Sequence, residues 1–179
     1  MAACALLAAS LLSGCLDNEL PPDESDAGEQ RVFIALPSDF RDFLDWKSFD
    51  VTGTMHASAK GPLVAYVNQL PDPGSSEFPI GTVIVKAVEA GKHSEWTVHA
   101  MAKRGGDFNP SGAYDWEFFE LGFSSKDVPI INWRGEKPPN GEGYQVKQGN
   151  MTVEADCNGC HVSSENDAVL SPELALDAL

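Results

Sequence analysis

A mainly β fold of the α+β kind is what this sequence predicts, an antiparallel sheet domain with short flanking helices and a cysteine-bearing C-terminal segment. Three observations predict it. Four runs rich in β-branched and aromatic residues recur at strand length: 63–68 (LVAYVN), 82–88 (TVIVKAV), 96–102 (WTVHAMA) and 114–121 (YDWEFFEL). Turn-forming breaks separate them at 71–74 (PDPG), 105–106 (GG) and 109–112 (NPSG), as antiparallel neighbours require. Removing residues 1–14 from the 179 leaves 165, the length of one domain with a real core.

Taken in order, residues 1–14 (MAACALLAASLLSG) carry no charge and are too short to span a bilayer, which fits the apolar region of a signal peptide. They end on Leu12-Ser13-Gly14-Cys15, a pattern that resembles the bacterial lipobox, with Cys15 as the acylated first residue of the mature chain. An ordinary small-residue cleavage site is the other reading. Residues 15–30 are acidic and poor in apolar side chains, so they predict a flexible tether ahead of a folded domain at 31–179. Ser38 is placed to cap a short helix whose apolar stripe is Phe40, Phe43 and Leu44.

After the four runs, residues 133–144 (WRGEKPPNGEGY) are too rich in Gly, Pro and charge for core and read as an excursion. Residues 145–154 read as a strand or hairpin. Ser171-Pro172 offers a cap and first-turn pair for a terminal helix over ELALDAL. The strand at 82–88 is unusual in that both faces are apolar: Thr82, Ile84, Lys86 and Val88 share one, and Val83, Val85 and Ala87 share the other. Lys86 is therefore either buried and inclined to neutrality, or snorkelling to water along its apolar stem.

The chemistry is concentrated in Cys157-Asn158-Gly159-Cys160-His161, a C-x-x-C-H signal for covalent haem attachment. Two thiols three residues apart on one helical turn can add to the two vinyl groups of one porphyrin, and the adjacent imidazole can ligate its iron. Tetrahedral zinc wants a second ligand pair at short spacing, which the chain lacks, and a small disulfide loop is the remaining alternative. With Cys4 in the leader and Cys15 on lipid, the other two of four cysteines are accounted for by one haem c. The formal charge of −15 makes nucleic acid and anionic membrane surfaces poor partners and is compatible with a basic redox partner.

Residues 78–88 (FPIGTVIVKAV), 114–121 with their WEFF core, and Cys157–His161 followed by the stretch SSENDAVLSPEL resemble the cytochrome P-460 family and its cytochrome c-prime-beta relatives. The resemblance covers residue 33 to the C-terminus and rests on Gly-Thr-Val-x-Val-Lys and a late haem motif in that order. It implies a mainly β, periplasmic homodimer with His161 as proximal ligand and an open iron position. P-460 enzymes oxidise hydroxylamine, whereas the c-prime-beta proteins bind nitric oxide and carbon monoxide. The resemblance further assigns Lys86 to the lysine that P-460 links to its porphyrin. Where those enzymes place a proton-handling carboxylate, this chain has His99 or a neighbour, and a histidine can also accept a proton. His99 and Met101 share a strand face, and either could instead ligate iron and make an electron carrier; the plainer reading is Met101 as core filler and His99 as a satisfied or exposed strand histidine. Phe78, Trp116, Phe118 and Phe119 are candidates to cap a distal pocket or to fill core. His56 and His93 read as surface residues.

Overall fold

The computed structural model describes residues 31–52, 61–136, 138, 144–148 and 151–179. The leader, the tether, Cys4, Cys15 and His56 lie outside the described residues. The fold is mainly β, as the sequence predicts. Strands β1 (Lys47–Asp50), β2 (Leu63–Val67), β3 (Val83–Val88), β4 (Thr97–Lys103), β5 (Trp116–Phe123) and β6 (Pro129–Gly135) form one sheet in chain order. Every pairing in it is antiparallel and between sequence neighbours. A separate hairpin pairs β7 (Tyr144–Gln148) with β8 (Met151–Ala155). Among the described residues no helix is long and apolar enough to cross a membrane.

The sheet is buried on both faces, which explains the doubly apolar β3. Ala65, Ile84, Met101 and Phe118 face one core, completed by Cys157, Val169 and Leu174 from the C-terminal segment. Val83, Val85, Ala87, Val98, Ala100 and Phe119 face the other, completed by Ala35, Phe40 and Phe43 from the N-terminal segment. Each chain end thus acts as a lid on one face. Phe40 and Phe43 are fully buried, and side chains of that size contribute about 1.5–3 kcal/mol each on burial. Register then sets the functional geometry. Lys86 on β3 stands opposite Ala65 on β2 and His99 on β4, and His99 stands opposite Glu120 on β5.

Four expectations are corrected. Instead of a capped helix near Ser38 there are two short 3₁₀ turns, Pro37–Phe40 and Phe43–Asp45. The Leu36 N–H donates to the Asp39 carboxylate at 2.7 Å, so Asp39 and not Ser38 caps the turn, and Leu44 remains exposed. The terminal helix reduces to the turn Pro172–Leu174, because Asn166 accepts from the Leu176 N–H (2.8 Å) and donates to the Leu174 carbonyl (3.0 Å). Residues 133–135 belong to β6 and not to an excursion. His93 is half-buried, stacked on Phe123 with ring centroids 4.8 Å apart and 3.8 Å from the Asp127 carboxylate.

Candidate functional site

The C-x-x-C-H residues form a single helical turn, α1 (Cys157–His161). Asp156 starts it by accepting from the Gly159 N–H, which satisfies a backbone donor that a helix start leaves open. Asn158 ties the turn to the β4–β5 connection. Its carboxamide exchanges hydrogen bonds with Asn109 (2.7 and 2.9 Å) and accepts from the Ala113 N–H (3.1 Å). Gly112 is obligatory beside it, since a Cβ there would lie 2.3 Å from Asn158. Cys157 is buried, Cys160 is half-buried, and both are free thiols. Burial pushes the Cys157 thiol up to about 12, so it stays protonated at neutral pH.

His161 is held on two sides. Its Nδ1 lies 2.6 Å from the Ala168 carbonyl, and its ring packs against Phe118 with centroids 5.0 Å apart. A carbonyl can only accept, so Nδ1 carries the proton and donates it. Burial lowers His161 to about 4, against a smaller opposing effect of the Ala168 hydrogen bond, so the ring is neutral at pH 7. A neutral ring protonated on Nδ1 has its lone pair on Nε2. That is the tautomer an axial iron ligand needs, with the hydrogen-bonded carbonyl behind it.

His161 and Cys157 line an open pocket of about 580 Å³ including its mouth, together with Lys86, His99, Met101 and Phe118. The sheet register, not sequence proximity, brings these groups together. Lys86 is half-buried, and burial lowers its amine from 10.5 to about 8, opposed in part by the nearby Cys160. That fall raises the neutral fraction at pH 7 roughly 300-fold. Burial, with the Lys86 charge adding to it, takes His99 down to about 4. Glu120 is the next residue in the same row; its carboxylate accepts from Trp133 Nε1 (3.0 Å) and Asn132 Nδ2 (3.2 Å). Sequence reading left this carboxylate unnamed, because only the β4–β5 pairing shows that Glu120 shares a face with His99. Of the four aromatic candidates, Phe118 turns its ring to the pocket, whereas the Phe119 ring packs on Phe40 on the opposite face of the sheet, 5.1 Å away. Phe78 and Trp116 pack edge-to-face on each other, 5.9 Å apart, in the adjoining core.

This donor set fits a covalently held haem: two free thiols on one turn, a neutral imidazole with Nε2 unprotonated, and an apolar pocket wall. Among the described residues no three His, Cys, Asp or Glu side chains are gathered to hold a bare metal ion. Compared with family models, characterised proteins and solved structures, the chain gives no significant match.

Proposed function

We propose that this chain is a mono-haem c-type protein of cytochrome P-460 type that oxidises hydroxylamine or a related small nitrogen species. Cys157 and Cys160 would carry the haem and His161 would ligate its iron. The observation that carries this reading is the Nδ1–H of His161 committed to the Ala168 carbonyl, on a ring that shares its pocket with Cys157, Lys86 and His99. When bound, the haem supplies a redox-active iron with a position open to a small ligand. The chain's own residues do the rest. Lys86 presents an amine that burial has moved toward neutrality, in the position the family resemblance gives to the porphyrin-linked lysine. His99, neutral at pH 7 and opposite Lys86, is the proton acceptor nearest that amine in the strand register, with Glu120 behind it in the row. Met101 and Phe118 exclude water from the same wall.

A second reading, binding of a diatomic gas without turnover, is favoured by that apolar wall. In either case we place the protein outside the cytoplasm, anchored through lipid on Cys15, with a periplasmic redox partner.

Optical spectroscopy and haem extraction separate the readings. Acid–acetone should leave haem on the wild type, and Cys160→Ala should weaken retention. A strongly red-shifted Soret band that reverts to an ordinary c-type band in Lys86→Leu, with loss of hydroxylamine oxidation, supports the enzyme. An ordinary high-spin band in the wild type selects gas binding. A sharp low-spin spectrum selects an electron carrier ligated by Met101 or His99. Haem that extracts freely from the wild type removes all three.

A further inference from the structure

The ring of His161 depends on one carbonyl, and that carbonyl sits in a backbone turn with no glycine. Asp167 and Ala168 both adopt left-handed conformations, with φ of 47° and 62°. Asp tolerates that region because its short polar side chain can bond locally, but alanine has no such compensation, and two in succession persist only where the surroundings impose them. Lys103 imposes them. Its ammonium, at the buried end of β4, lies 2.5 Å from Asp167 Oδ1, and Asp167 Oδ2 accepts from the Phe78 N–H at 2.8 Å. Trp116 closes the group, with Nε1 3.4 Å from Asp167 Oδ1 and its ring beneath the Lys103 ammonium at 5.5 Å. Lys103 is 1% exposed, so this charge is committed to the interior.

A lysine that deeply buried, with Asp167 at 2.5 Å and the mostly exposed Glu77 at 3.7 Å, is weak support for stability as such, because desolvation offsets most of the attraction. Its position suggests another role. The turn sends the Asp167 carboxylate toward the sheet and returns the carbonyl of the next residue to His161. We propose that the Lys103–Asp167 pair positions the axial imidazole. By fixing the Asp167–Ala168 turn it sets the strength of the hydrogen bond on Nδ1, and through it the electron donation of Nε2 to iron. Neither Lys103 nor Asp167 lines the pocket, so the proposed route to His161 runs through the Ala168 carbonyl. The inference rests on the haem reading above.

The test uses the haem-loaded full chain. Replacing both charges at once, as Lys103→Met/Asp167→Asn, avoids stranding one of them in the core. Covalent haem should be retained. The iron–histidine stretch in the Raman spectrum of the ferrous form should move to lower frequency. The midpoint potential should rise by about 59 mV, the one-electron equivalent of the roughly tenfold effect typical of removing a group behind a metal ligand. Should the double variant not accumulate folded, Asp167→Asn alone preserves volume and an acceptor for Phe78 and carries the same test. The control is Glu117→Gln/Arg134→Met, which removes a comparable ion pair (2.6 Å) that bonds the Ala35 carbonyl and not the Ala168 turn. A stretch and potential that stay at wild-type values, or that move equally in the control, overturn the proposal. The haem reading fails separately, when haem extracts freely from the wild type or when an iron–histidine band survives His161→Ala.

Discussion

Lys86 offers the most direct quantitative check on the site. Its amine falls from 10.5 to about 8 because the folded chain withdraws it from water. Above pH 10.5 the amine is neutral in both folded and unfolded chains and carries no penalty. As pH falls from 10.5 toward 8 the unfolded chain takes up the proton first, so stability declines, and below 8 the full penalty applies. That penalty is at most about 3.4 kcal/mol. Since Lys86 keeps some contact with solvent, screening reduces it to about 1–3 kcal/mol. Lys86→Met, which keeps length and removes charge, should therefore stabilise the haem-free chain by that amount at pH 7. For a domain of this size the melting temperature should rise by roughly 2–4 °C per kcal/mol. The assay is thermal unfolding of the reduced, haem-free wild type and variant between pH 7 and pH 10.5. The gap between the two should close as pH rises. Parallel curves, with a constant gap or none, would show that the amine is not withdrawn from water and would sink the argument that burial moves Lys86 toward neutrality.

Three other outcomes are expected. His99 and His161, both lowered to about 4 by burial, should make the haem-free chain lose stability as pH falls from 6.5 to 4, and His99→Gln should flatten part of that loss in acid titration followed by circular dichroism. Asn158→Ala orphans the buried Asn109 carboxamide oxygen and should lower stability by about 1–3 kcal/mol in urea unfolding; no change would mean that α1 is not held through this pair. Intact mass of detergent-extracted protein should show acyl groups on Cys15, and a soluble product with an unmodified N-terminus refutes the anchor.

The central strands were legible because each buries side chains that alternate or run apolar, and the turn residues between them are chemically distinctive. The edge strands were not. β1 (KSFD) is mostly exposed, and β6 opens on Pro129 and stays half-solvated, so their place in the sheet comes from backbone pairing that side-chain pattern does not report. ELALDAL carries the composition of a helix, yet Asn166 captures the carbonyl and N–H that the helix would have used. At the site, the C-x-x-C-H residues stand out from their spacing and Lys86 from the apolar faces of its strand, and the structure brings Cys157, His161 and Lys86 to one pocket. The Ala168 carbonyl and the Lys103–Asp167 pair were not legible: they join residues 64 apart through a left-handed turn that no glycine announces.

The order of the sheet has a consequence for the sequence in which the fold assembles. Every strand of the six pairs with the one made just before it, so the loops to be closed are short and their closure entropy small. The segment from Asp156 onward belongs to no such local unit; it docks across a surface assembled from residues 51–118. Synthesis from the N-terminus therefore completes the platform before Cys157 exists, and domains generally begin folding in that order. Under the proposed haem reading, attachment would fall on a late-docking turn, which an assembly enzyme could receive while it is still extended beside a finished sheet.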